Sequence, residues 1–112
     1  MGQRMLMAAL SLGGMALSIS TPVFGEGVHV IVIKDHRFNP AELQVPSRQK
    51  IRLVVENQDP TAEEFESYSL NREKVIPGNA KAVIFVGPLE PGTYEFFGEF
   101  HEATAKGRII AQ

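Results

Sequence analysis

Turn chemistry interrupts this chain so often that no long helix fits between the breaks. Asn39-Pro40, Asn57-Gln58-Asp59-Pro60-Thr61, Pro77-Gly78-Asn79, Gly87-Pro88, Pro91-Gly92 and Lys106-Gly107 punctuate it, and no stretch between them exceeds the 16 residues of 41–56, lengths that suit short strands and their turns. No segment between them holds a 3.6-residue apolar period for long. Val28 to Lys34 is a β-branched run of strand length, and Glu42 to Val45 begins to alternate. Lys50 to Glu56 alternates cleanly, with Ile51, Leu53 and Val55 on one face and Lys50, Arg52 and Glu56 on the other. Phe65 to Leu70, Ala80 to Val86 and Arg108 to Ala111 read as further strands. From Thr93 to Phe100, one face carries Tyr94, Phe96, Gly98 and Phe100, and the other Glu95, Phe97 and Glu99. The expectation is an all-β chain of about seven to eight strands, folded as an antiparallel Greek-key β-sandwich in one domain.

The first 25 residues do not fit this pattern. Arg4 is the only charge before Glu26, and Met5 to Leu17 is an unbroken run of apolar or small residues. Val23 and Gly25 then suit the −3 and −1 positions of a cut before Glu26. These are the parts of a secretory signal peptide, and the apolar run is shorter than the ~20 residues of a spanning helix. The expectation is a leader over residues 1–25, cleaved near Gly25-Glu26, with a single exported, periplasmic domain over residues 26–112 that does not itself span the membrane. Met1, Met5, Met7 and Met15 are the chain's four methionines, and there is no cysteine. The exported domain would therefore contain no sulfur. That excludes disulfides, zinc fingers, iron–sulfur ligation and a thiol nucleophile. With 11 basic and 13 acidic residues and no basic run, the chain also lacks the electrostatic footprint of a nucleic-acid binder.

Chemistry is left to carboxylates and imidazoles. Glu63, Glu64 and Glu66 cluster in sequence, and on a strand Glu64 and Glu66 point to the same face, about 7 Å apart along the chain. Glu99, His101 and Glu102 form a second group where the aromatic strand ends. Such donors suit Mn, Fe, Cu(II) or Zn rather than Cu(I). The competing reading is an acidic, solvated edge. His29, inside an apolar strand, and His36, in a loop, are weaker candidates, and Tyr94, Phe96, Phe97 and Phe100 read as core. No Gly-x-Ser-x-Gly elbow, phosphate-cradling glycine loop or His-Glu-x-x-His is present.

The order of these pieces resembles a cupredoxin. Phe38-Asn39-Pro40, Val55-Glu56-Asn57-Gln58, Leu89-Glu90-Pro91-Gly92-Thr93-Tyr94-Glu95-Phe96 and Lys106-Gly107-Arg108-Ile109-Ile110 carry the likeness over nearly all of residues 26–112. Blue-copper members bind through an early His, a Cys, a second His and usually a Met. Here Glu64 stands at the early His, Gly98 at the Cys, His101 at the second His and Ala105 at the Met. The resemblance thus implies the fold but no type 1 copper centre. Glu64-Phe65-Glu66 and Arg72-Glu73-Lys74-Val75-Ile76-Pro77-Gly78 are similar to motifs of the EfeO-type, FtrB-like cupredoxins of bacterial ferrous-iron uptake. Those proteins work beside an inner-membrane iron permease and a periplasmic iron-binding protein, in a role that would assist oxidation of ferrous iron. The metal ligands this implies are Glu64, Glu66, Glu99 and His101, holding an iron or copper ion, with Glu73 as an additional ligand or a docking charge. The alternatives are a copper(II) carrier and a metal-free scaffold whose acidic end docks a periplasmic partner.

Overall fold

The computed structural model describes residues 27–112; the expected leader over residues 1–25 lies outside them. Nine strands follow one another: β1 (Val28–Lys34), β2 (Arg37–Asn39), β3 (Glu42–Val45), β4 (Ile51–Asn57), β5 (Glu63–Ser67), β6 (Arg72–Ile76), β7 (Lys81–Val86), β8 (Gly92–Gly98) and β9 (Lys106–Ala111). One 3₁₀ turn, Glu99–His101, caps β8. The strands form a four-stranded sheet, β2-β1-β4-β7, and a five-stranded sheet, β3-β9-β8-β5-β6. Among the described residues no helix is long and apolar enough to cross a membrane.

The sandwich expected from the sequence is present, with two refinements. Both sheets are mixed, because β1 runs parallel to β4 and β3 parallel to β9. The strand count is nine because β2 and β6 are strands too. β2 pairs with β1 across a turn in which Asp35 and His36 have φ of 54° and 58°. A two-residue turn with both φ positive usually contains glycine or asparagine. Here the Asp59 carboxylate supports it by accepting the backbone N–H groups of Asp35 and His36 at 2.8 and 2.9 Å. Those bonds, the one from His36 foremost, hold the Asp59 carboxyl below its ordinary range.

Strand alternation supplies the core. Ile31 and Ile33 of β1, Ile51, Leu53 and Val55 of β4, and Ile84 and Val86 of β7 face inward and are buried. From the other sheet come Phe65, Phe96 and Ile109. Phe65 and Phe96 stack with centroids 5.0 Å apart, and Phe38 meets Phe96 edge-on, also at 5.0 Å. These are favourable aromatic geometries. Phe100, expected on the inner face, lies beyond the end of β8 and is exposed.

The two outer faces differ in charge. The four-stranded sheet turns outward Lys34, Arg37, Arg52 and Lys81 around exposed Val28, Val30, Val83 and Phe85. Glu56 is the acidic residue on that face. The five-stranded sheet turns outward Glu42, Glu64, Glu66, Glu73 and Glu95, with Lys106 and Arg108 at one side.

Candidate metal centre

β5 reads Glu-Glu-Phe-Glu-Ser, so the pleat divides its carboxylates between two environments. Glu63 shares the inner face with Phe65; Glu64 and Glu66 share the outer one. β5 is flanked by β6 and β8, with Glu66 opposite both Glu73 and Phe97. Where β8 ends, the 3₁₀ turn swings Glu99 over this outer face. Carboxylate oxygens of Glu64, Glu66 and Glu99 all lie within 4.8 Å of one another. Two oxygens on opposite sides of a cation at about 2.2 Å are about 4.4 Å apart, so small side-chain movements would let one ion join all three.

The crowding of like charges is visible in their acidity. Glu64 and Glu66 are each only 8% exposed. Loss of water, followed by the nearness of Glu73 and Glu99, pushes the Glu64 carboxyl up to about 7. Glu66 is raised by the same loss of water and then by Glu73. A carboxylate cluster that resists ionising alone is relieved when a cation supplies the missing positive charge.

The sequence-derived ligands are therefore divided. Glu64, Glu66 and Glu99 come together, whereas His101 belongs to a different group. Its Nδ1 lies 2.7 Å from Oε2 of Glu63, the geometry of a ring N–H donated to a carboxylate. Oε1 of Glu63 accepts the backbone N–H of Phe100 and of Glu64, each at 2.9 Å. The His101 ring also stacks on His36, with centroids 3.6 Å apart and planes 10° off parallel. His36 Nδ1 in turn lies 3.4 Å from Asp59.

Glu63, rather than Glu64, is the member of the Glu63, Glu64 and Glu66 group that meets both His101 and Gly98, the residues that the resemblance sets at the second His and the Cys. A Cβ on Gly98 would come within 2.6 Å of Glu63 Cδ and 2.7 Å of Ala105 Cβ. The available signal was strand parity: Phe65 is apolar and must face the core, so Glu63, two residues earlier, faces inward as well.

The fold has close counterparts. It superposes on auracyanin A, a blue copper protein of Chloroflexus aurantiacus, with a TM-score of 0.66 at 13% identity, covering 77% of this chain and 98% of that one. The metal-binding domain of the Streptococcus pneumoniae Cu(I)-exporting P-type ATPase CopA gives 0.64 at 19% identity, covering 76% and 84%. A reduced amicyanin variant gives 0.62 at 14% identity, covering 78% and 84%. These likenesses define the architecture as that of a cupredoxin. The family model for the cupredoxin-like domain matches residues 6–111, and the chain belongs to that family. It is also 51% identical over 80 residues to the uncharacterised protein RP394 of Rickettsia prowazekii (strain Madrid E), covering 71% of this chain. The match spans 64% of that relative's length.

The residues do not fit a type 1 copper ion. The chain contains no cysteine, the Cys position is Gly98, and a carboxylate fills the space beside it. The donors that converge are oxygens on the outer face, a set for hard cations.

Proposed function

We propose that this protein is an exported, periplasmic iron handler that takes up its cargo on Glu64, Glu66 and Glu99 and serves an inner-membrane iron permease together with a periplasmic iron-binding protein. The observation that carries this reading is the convergence of three carboxylate oxygens within 4.8 Å in a domain whose fold family binds metals through other residues. The likeness of Glu64-Phe65-Glu66 to the iron-uptake cupredoxins supports it. Anionic oxygen donors stabilise Fe(III) more than Fe(II), because the Coulomb attraction grows with the charge of the ion. Binding would thus favour oxidation of ferrous iron, each Fe(II) passing one electron to dioxygen or to a copper ion of a partner protein.

Copper(II) carriage is the second reading. The nearness of the His36 and His101 imidazoles, with centroids 3.6 Å apart, supports it, since imidazole suits Cu(II); the stacked rings would have to turn out of parallel to ligate one ion together. The blue copper of auracyanin A would need a thiolate, and this chain has no cysteine.

Elemental analysis after anaerobic dialysis against Fe(II), and separately against Cu(II), Mn(II) and Zn(II), tests both readings. The expected result is near-stoichiometric iron, lost in Glu64→Gln and Glu66→Gln. Added Cu(II) should give no intense blue absorption. Iron retained equally by those variants, or no iron in the unaltered protein, would overturn the proposal. Copper retained in preference to iron, and lost in His101→Ala, would establish the second reading.

A further inference from the structure

Glu63 lies outside the acidic trio, yet it contacts both segments that carry it. One bond, from the Glu64 N–H, fixes its own strand. The other two, from the Phe100 N–H and from His101 Nδ1, hold the turn that begins at Glu99. Among the described residues it is the side chain that accepts backbone N–H groups of both β5 and this turn. The turn's other anchors lead away from β5: Thr104 Oγ1 donates to the His36 carbonyl at 2.6 Å, the Ala105 N–H donates to the His101 carbonyl at 2.9 Å, and the His101 ring stacks on His36. Gly98 is what makes room, since any side chain there would strike the Glu63 carboxyl group.

From this geometry we infer that Glu63 is the positioning residue of the acidic site: by accepting from Phe100 and His101 across the end of the sandwich, it holds Glu99 against Glu64 and Glu66. This rests on the outer-face site proposed above. The inward carboxylate is buried, with 1% of the residue exposed, and all its identified partners are donors of this chain. It therefore acts on the ion through where it places Glu99 and, by its bond from the Glu64 N–H, Glu64. Groups that orient a metal's ligands without touching the metal typically contribute about 10–100-fold to metal affinity.

Reach, rather than charge, is the property the role requires. Glutamine keeps an oxygen for both backbone N–H groups and can donate its amide to the other tautomer of His101. Aspartate keeps the charge but falls short by about 1.5 Å, one carbon–carbon bond. The experiment measures Mn(II) affinity of the unaltered protein and of Glu63→Ala, Glu63→Asp and Glu63→Gln, alongside hydrogen exchange of the Phe100 amide. Glu63→Ala and Glu63→Asp should bind Mn(II) at least about 10-fold more weakly and lose Phe100 protection. Glu63→Gln should stay within about 3-fold of the unaltered protein and keep that protection, a rescue that simple destabilisation would not produce.

Val86→Ala, a core truncation in the other sheet, serves as the control for lost stability and should leave affinity unchanged. A folded Glu63→Ala protein with full affinity would overturn the inference. So would a Glu63→Gln protein as weak as Glu63→Ala, or an equal loss in Val86→Ala. If Glu63→Ala does not fold, the aspartate–glutamine pair decides. Should the unaltered protein bind no Mn(II), the outer-face site fails, and Phe100 exchange alone then decides whether Glu63 holds the turn.

Discussion

Replacing Gly98 by alanine adds one methyl group at the most crowded point of the candidate site. The backbone itself would accept it, because φ and ψ at Gly98 are −96° and 111°, ordinary extended values. The cost is steric: the new Cβ lies 2.6 Å from Glu63 Cδ, 2.7 Å from Glu63 Oε2 and 2.7 Å from Ala105 Cβ. A free carboxylate would swing aside, but this one is held by bonds of 2.9, 2.9 and 2.7 Å. Either the core overpacks, at about 1–3 kcal/mol, or Glu63 gives up bonds to a charged group worth about 1.5–3 kcal/mol each. The expected destabilisation is about 2–4 kcal/mol, which for a domain this small lowers Tm by about 10–25 °C. Thermal and urea unfolding of Gly98→Ala, Glu63→Ala and the double variant measure it. The clash with Ala105 persists in the double variant, but the clash with Glu63 needs both partners, so the double variant should be more stable than the sum of the singles by at least about 1 kcal/mol. Additive effects, or a Gly98→Ala protein within about 0.5 kcal/mol of the parent, would refute the packing argument.

Stability without metal should depend on pH through the acidic face. Glu64 takes up its proton near pH 7 when folded and near 4.5 when unfolded, so between those values the folded state holds the extra proton and stability falls as pH rises, levelling off above about 7. Glu66 acts in the same direction, while Asp59, whose lowered pKa stabilises the fold above its ordinary value of 3.8, does not change over this range. Burial lowers the His29 pKa from its ordinary 6.5 and opposes this trend, so the test is taken against Glu64→Gln: urea midpoints of metal-free protein at pH 5 and pH 8 should favour pH 5 more in the unaltered protein than in that variant, and an equal difference in both would contradict the crowding. Asn57→Ala should destabilise by about 2–4 kcal/mol, because the 2%-exposed amide donates to the carbonyls of Thr61, Ile76 and Pro77 and accepts from the Asp59 N–H. Chemical denaturation measures it, and a loss under about 1 kcal/mol would mean that water replaces those bonds.

The strands that the sequence revealed are those whose alternation is driven by burial. β1 and β3 have the expected bounds, and the inward Ile51, Leu53 and Val55 of β4 fall as the pattern required. β2 was hidden because its turn is built from Asp35 and His36 and supported by Asp59, twenty-four residues from Asp35. β6 was hidden because it is an edge strand, Arg-Glu-Lys-Val-Ile, with Ile76 its one buried residue. Parallel pairing of β1 with β4 leaves no local trace, since it depends on where distant strands lie. In the site, pleat parity placed Glu64 and Glu66 together, and the end of β8 brought Glu99 to them. The partnership of His101 with Glu63 was not legible, because a glutamate facing a core is recognised only once its donors are known.

The opposed charges of the two sandwich faces bear on how quickly an ion arrives, a matter separate from how tightly it is held. Lys34, Arg37, Arg52 and Lys81 repel an approaching cation from one side, while Glu66, Glu73 and Glu95 attract it to the other, where Arg108 is paired with Glu42. Diffusion over the surface is thereby biased toward the carboxylates, and steering of this kind raises encounter rates by factors of about 10 or more. Its range is the Debye length, about 8 Å at physiological ionic strength. Loading should therefore slow with added salt more than release does, so residues that never touch the cargo help set the pace of its capture.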